Sequence, residues 1–190
     1  MSARRERLDL LISKLEASVS FDDCRRARCR AVESALSEAV LPGAPLLPAD
    51  LRAPCAEHYA RHLVHRDPEG RFSVIAMVWA PGQGTPIHDH GGLWCVECVL
   101  QGRIEVRAYR PTDAEGDRAD VDFQCAEVIR AELGESGHLI PPLDHHVICN
   151  PFDEVAVTLH VYGGDLDWCR VFEPLPEGGY VAVRKELATD

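Results

Sequence analysis

Apolar positions fall into two textures along the chain. Leu8, Leu11, Ile12 and Leu15 recur at helical spacing and predict a first helix from about Ala3 to Ser18. Asp22 suits the N-cap of a second helix, with Val32, Leu36, Ala39 and Val40 on one face. Leu41 to Pro54 carries prolines at 42, 45, 48 and 54; it is short and apolar, and is expected as packed coil. From Cys55 onward the period shortens to that of strands. Tyr59–His65, Phe72–Trp79, Leu93–Leu100, Ile104–Tyr109, Glu127–Leu133, His138–Ile140, His145–Cys149, Val155–Tyr162, Trp168–Phe172 and Tyr180–Val183 read as strands. Asp67-Pro68-Glu69-Gly70, Pro81-Gly82-Gln83-Gly84 and Gln101-Gly102 read as turns between them, and Asp113 to Asp122 as an acidic turn. Many short strands without helical crossovers predict a sandwich or barrel. The chain is expected as a single domain over 1–190, with a helical preface and Pro-rich link at 1–54 and a β-barrel at 55–190.

Composition narrows the partners. The chain has 190 residues and a net charge of −11, which argues against nucleic acid and anionic membranes. No apolar run is long enough to span a bilayer, and the N-terminal residues lack a signal core. Eight cysteines without a secretory signal imply a reducing cytoplasm and free thiols. Cys95 and Cys98 have the spacing of a redox or zinc pair, but a strand points them to opposite faces. Cys98, Cys125 and Cys149 are therefore assigned to packing.

The chemistry gathers around Thr85-Pro86-Ile87-His88-Asp89-His90-Gly91-Gly92-Leu93-Trp94-Cys95. Alternation along a strand turns His88 and His90 to one face and Asp89 to the other, which makes half of a metal site. A second histidine stretch, His145-His146-Val147-Ile148-Cys149-Asn150, follows later. Thr158, His160 and Tyr162 share one face of a strand whose other face is Val157, Leu159 and Val161. An apolar strand lines up three polar groups where a site satisfies them. Arg61 alone reads as a surface charge, and Cys95 as a small buried hydrophobe. His58, His62, His65 and His138 have no assigned role.

The run from Gly82 to Asn150 resembles the two-part cupin signature. Cys95 stands where that signature has its acid, Gly102 follows at the expected distance, and His146 to Asn150 fits the second part. With cysteine at that place, the chain resembles the cysteine dioxygenases and related thiol dioxygenases. Tyr59-Ala60-Arg61, Trp79-Ala80-Pro81-Gly82, Thr158-Leu159-His160-Val161-Tyr162 and Cys169 match further family marks. The likeness covers about Tyr59 to Phe172. Thr158 stands in place of a serine, and Gly163-Gly164 where the animal enzymes have Ser-Pro.

The resemblance implies a mainly β cupin, a double-stranded β-helix or jelly roll with N-terminal helices. It implies ferrous iron held by His88, His90 and a third histidine. Counting back from Asn150 selects His146; counting back from His160 without a gap selects His145. A deletion in the turn at Pro151–Glu154 favours His146. Arg61 would grip the substrate carboxylate and Tyr59 would frame it, with Arg170 a second candidate. Tyr162 would be oriented through His160 and Thr158, and Cys95 would form a thioether bond to Tyr162. The implied reaction joins O2 to the sulfur of a small carboxylate-bearing thiol, foremost L-cysteine, with 3-mercaptopropionate and mercaptosuccinate as alternatives. A metal-dependent cupin of other chemistry, such as an isomerase, and a non-enzymatic sensor or storage cupin are the more remote readings. The expected form is a cytoplasmic monomer.

Overall fold

A computed structural model describes residues 3–20, 24–112 and 120–189. Two helices, α1 (Ala3–Ser20) and α2 (Arg25–Ala39), precede a 3-10 turn at Asp50–Arg52 and twelve strands. The strands are β1 (Ala60–Arg66), β2 (Ser73–Trp79), β3 (Ile87–His88), β4 (Cys95–Gln101), β5 (Ile104–Pro111), β6 (Asp120–Val121), β7 (Phe123–Ala131), β8 (Ser136–Leu139), β9 (His146–Cys149), β10 (Ala156–Tyr162), β11 (Trp168–Pro174) and β12 (Tyr180–Glu186). Two antiparallel sheets result, in the orders β1-β2-β10-β4-β8 and β6-β12-β11-β3-β9-β5-β7. No described helix is long and apolar enough to cross a membrane.

The first sheet is covered on both sides, which explains its unbroken apolar runs. Every residue of β2 and β10 is buried. On the outer face Val74, Ala76, Val78, Val157, Leu159 and Val161 join Leu11, Leu15, Val32 and Leu36 of the helices in one core. On the inner face Ile75, Met77, Trp79, Cys95 and Tyr162 meet Ile104, Val106 and Ile148 of the second sheet. The helical preface thus closes the back of the sheet that carries the polar triplet. Leu46 and Leu47 of the Pro-rich link are buried in the same outer core.

The predicted elements match in kind and shift at their ends. The strand expected from Glu127 begins earlier, at Phe123, because it pairs along the whole of β5. The strand expected from His145 begins at His146, which lies opposite His88. Asp22, expected as an N-cap, lies outside the described residues, and the N-cap position of α2 is Cys24. Residues 113–119 of the expected acidic turn also lie outside them, while Asp120 and Val121 form β6. Cys125, expected in packing, is exposed on β7.

The Gly163-Gly164 pair has a packing cause. A Cβ added at Gly163 would fall 2.2 Å from Nε1 of the buried Trp94 ring, and the Gly163 N–H donates to the Trp94 carbonyl at 3.0 Å. A larger residue there is overpacked against an indole held by the backbone. Gly163→Ala is expected to destabilise the fold by about 1–3 kcal/mol, read as a lower denaturant midpoint with an unchanged slope.

Candidate metal centre

The site begins with strand pairing. His88 on β3 is the direct partner of His146 on β9, and β11 flanks His88 through Val171. After His88 the chain leaves the strand. Asp89 turns away, as alternation requires, and fastens the turn: its carboxylate accepts from the Gly91 N–H at 3.1 Å, the Arg170 N–H at 2.8 Å and Arg170 Nε at 2.5 Å. Gly91 has φ +59°, and a Cβ there would stand 3.0 Å from the Trp168 carbonyl. That turn returns His90 to the face of His88.

Ligand nitrogens of His88, His90 and His146 lie within 4.8 Å of one another. The environment fixes which nitrogens these are. His88 Nδ1 is 3.1 Å from the Pro86 carbonyl, and His146 Nδ1 is 3.1 Å from the Asp144 carbonyl. A carbonyl only accepts, so both Nδ1 atoms carry the proton. His90 Nδ1 faces a carboxylate oxygen of Asp144 at 3.6 Å. The Nε2 atoms of His88 and His146 are then bare lone pairs, and outward hydrogen bonds of this kind orient imidazoles for a metal. Burial lowers the His88 pKa to about 3 and carries His146 well below its ordinary value, so both rings stay neutral and available. The donor set fits a divalent transition metal.

His145 does not join them. Its ring packs against Phe123 and Phe172, at centroid distances of 5.1 and 5.2 Å. Arg170, the second carboxylate candidate, is tied to Asp89 and half-exposed, away from the histidines.

The three histidines line a small cavity with Tyr59, Arg61, Met77, His160 and Tyr162. Arg61, a surface charge by residue type, is only 7% exposed. It sits on β1 beside Met77 of β2, and its Nη1 donates to the Ala188 carbonyl at 2.9 Å. Tyr59 stacks on Trp79 with centroids 4.7 Å apart. Lys185 of β12 reaches the same cavity, a contribution from the far end of the chain that no local motif announced. Larger cavities lie under the Pro-rich link and between β7 and β8, and neither holds such a cluster of histidines.

The polar triplet of β10 is ordered differently from the expected relay. Trp79 Nε1 donates to Thr158 Oγ1 at 2.9 Å, and Thr158 Oγ1 lies 2.7 Å from His160 Nε2. His160 Nδ1 then faces Cys95 Sγ at 3.9 Å and a Glu97 carboxylate oxygen at 3.6 Å on β4. The His160 and Tyr162 rings stack, 6.0 Å apart, and Tyr162 stands next to the chain of contacts as the strand neighbour of Cys95. Cys95 and Tyr162 are direct cross-strand partners. The reason is geometric: residues two apart on a strand lie side by side, so the nitrogens of His160 point along and across the sheet. Burial holds Tyr162 well above its ordinary pKa and the Cys95 thiol well above its own, so both keep their protons.

Sequence reasoning passed over Glu97. It shares the inward face with Cys95, is 7% exposed, and its Oε2 has no hydrogen-bond partner. The signal was the same alternation that placed Cys95.

The fold is a cupin whose inner face carries a three-histidine centre. Residues 55–174 match the family model described as Cysteine dioxygenase type I. The chain belongs to that family. It is 29% identical to "Cysteine dioxygenase type 1" of Homo sapiens over 122 residues, covering 60% of this chain and 56% of that protein. The Danio rerio protein of the same name is also 29% identical, over 123 residues, with the same coverage. The chain thus spans just over half the length of these curated relatives. A solved structure of a conserved double-stranded β-helix protein from Klebsiella pneumoniae aligns with TM-score 0.48 and 18% identity, over 62% of this chain and 88% of that one.

Burial raises the Glu97 carboxyl from its ordinary 4.5 to about 7. A group whose native pKa stands above its unfolded value favours the native state below the unfolded pKa and loses that advantage as pH rises through the native one. Glu97 should therefore cost the fold up to about 3 kcal/mol as pH climbs through this range. Glu97→Gln is expected to melt increasingly above the parent protein as the buffer moves from about pH 5 to about pH 8. Parallel melting curves at both pH values would show that Glu97 titrates normally.

Proposed function

We propose that this chain is an iron-dependent thiol dioxygenase that converts a small carboxylate-bearing thiol, foremost L-cysteine, to its sulfinate. The observation that carries the reading is the meeting, in one cavity, of three clustered imidazoles with the buried Arg61. His88, His90 and His146 would hold the metal through their Nε2 atoms. Ferrous iron, when bound there, supplies positions for a thiolate and for dioxygen. Three neutral ligands leave its full charge in place, which favours an anionic sulfur over a neutral donor.

The protein's own residues do the rest. Arg61 would bind the carboxylate through paired N–H donors. Tyr59, fixed by its stack on Trp79, would border that carboxylate. Tyr162 keeps its proton and so would serve as a hydrogen-bond donor toward the reacting groups, stacked beside His160 and opposite Cys95 on the neighbouring strand. Thr158 and His160 would support that arrangement from below. Met77, Ile148 and Val171 give the cavity an apolar lining beside these groups. Both atoms of O2 end on the substrate sulfur.

Lys185 favours mercaptosuccinate as a second reading, because a second cation beside Arg61 suits a second carboxylate. Oxygen uptake with L-cysteine, 3-mercaptopropionate and mercaptosuccinate decides between them. Removing a buried charged partner costs roughly 2–5 kcal/mol, so Arg61→Ala is expected to raise the Michaelis constant by about thirtyfold or more. Unchanged kinetics would end that role. Alanine at His88, His90 or His146 is expected to abolish iron retention, and alanine at His145 to preserve it, by metal analysis of the purified variants.

We also propose that Cys95 and Tyr162, which are direct cross-strand partners, become joined during turnover by a thioether bond from Sγ to a ring carbon, the S–H and ring C–H hydrogens passing to O2 as the two-electron oxidant. Intact-mass measurement is expected to show the loss of a pair of hydrogen atoms, mapped to the peptides of Cys95 and Tyr162 and absent in Cys95→Ala. Full alkylation of Cys95 in enzyme that has turned over would exclude the bond.

A further inference from the structure

Glu97 is a buried acid with no part in the chemistry above. It lies directly across the sheet from His160, as its Cα partner on β4. Its Oε2 faces His160 Nδ1 at 3.6 Å and accepts no hydrogen bond. On the other side of the imidazole the donors are countable. The Trp79 indole only donates, so Thr158 Oγ1 accepts from it and has one proton of its own to place. Thr158 can give that proton to His160 Nε2, or take one from it. The choice depends on what stands at Nδ1.

We propose that Glu97 sets the tautomer of His160, holding the proton at Nδ1 when Glu97 is a carboxylate and at Nε2 when it is a carboxylic acid. The ionised form is acceptor-only, so it requires Nδ1–H, and Thr158 then donates its hydroxyl proton to Nε2. The neutral form donates its O–H to Nδ1, and Nε2–H then donates to Thr158 Oγ1, which accepts through both lone pairs while its own proton rotates away from the imidazole. His160 holds one proton in both states, and the added proton resides on Glu97. Burial keeps the imidazole from accepting a second one, with its pKa lowered to about 3. The same burial brings the Glu97 carboxyl to about 7, where both forms exist near neutral pH.

The titratable and charged groups around Glu97 are Cys95 and Cys98 on its own strand, His160 and Tyr162 on β10, and His138 on β8. Glu127 and Arg130 of β7, with Glu135 before β8, face it across the cavity between those strands. Arg130 is paired with Glu105 at 3.3 Å and His138 with Glu33 at 2.8 Å, so neither side chain is committed to Glu97. Glu97 acts through His160 and is a positioning residue. Nδ1 also faces the Cys95 thiol, the cross-strand partner of Tyr162, so a change of tautomer alters the surroundings of the Tyr162 side chain. Only this kinetic consequence rests on the proposed function.

The test uses the full chain with isotope-labelled histidine, purified without metal, and reads the His160 ring nitrogens by NMR across neutral pH. In the parent, the protonated nitrogen is expected to move from Nε2 to Nδ1 as pH rises through about 7. Glu97→Gln keeps the shape and cannot ionise, so its His160 signals are expected to be flat over the same range. A tautomer that is constant in the parent, or that titrates equally in Glu97→Gln, overturns the assignment. With iron and thiol present, the parent kcat is expected to show an inflection near the same pH that vanishes in Glu97→Gln, with iron content and KM within about twofold. A titrating tautomer in a parent that oxidises no thiol upholds the role of Glu97 and overturns the proposed function instead.

Discussion

The bond from the Trp79 indole to Thr158 is the contact on which the inner face of the first sheet depends. β10 runs between β2 and β4 with both faces closed, so a polar side chain on it has no water to turn to. Thr158 is fully buried, and an unmet hydroxyl there would cost the fold a large fraction of its margin. Trp79 meets it from β2. Thr158 then meets His160, and His160 reaches β4. The polar groups form a string in which each member is satisfied by the one before it, and the string crosses three strands. Such networks fix a single arrangement when complete.

A different constraint shapes the histidine centre. There two imidazoles, His88 and His146, are held from outside by carbonyls, which can only accept, and the backbone N–H of His90 donates to the Asp144 carboxylate. The loop residues that provide them, Pro86 and Asp144, are tied into the strands that carry the histidines. Asn150 works in the same way one step further out. Its side-chain amide donates to the carbonyls of Trp79 and Glu154, at 2.9 and 2.7 Å, and its backbone pairs with Gln83 and Gly82. The asparagine that ends the second motif is thus the clamp that holds the turn before the first one.

Much of this was legible in the sequence, for identifiable reasons. Alternation placed Thr158, His160 and Tyr162 together because β10 is regular along its inner face. It placed His88 and His90 on one side and Asp89 on the other because Gly91 restores the turn after one strand residue. The choice of His146 over His145 followed from the spacing to Asn150, and the clamp just described gives that spacing its physical basis. What stayed hidden was non-local or contrary to residue type. Arg61 reads as a surface charge because arginines usually are, and its burial depends on Ala188, distant in sequence. Lys185 reaches the cavity by way of β12, and no local pattern could say so. Glu97 sat inside Cys95-Val96-Glu97-Cys98, where the cysteine spacing drew the eye and the acid did not. The helix start at Cys24 lacks a side-chain cap, so no signal marked it.

The cysteines have a bearing on endurance. A protein read as an oxidiser of thiols carries eight thiols of its own. The thiolate, not the thiol, is the form that oxygen species attack. Burial pushes Cys29 and Cys169 up to about 11 and Cys98 to about 12, and Cys95 lies beyond its ordinary range as well. These four are kept in the form least open to damage, including Cys169 in the lining of the histidine cavity. The same dry interior that shapes the reaction therefore shields the protein from it, and oxidative wear should fall first on Cys24 and Cys125, whose side chains stand in the solvent.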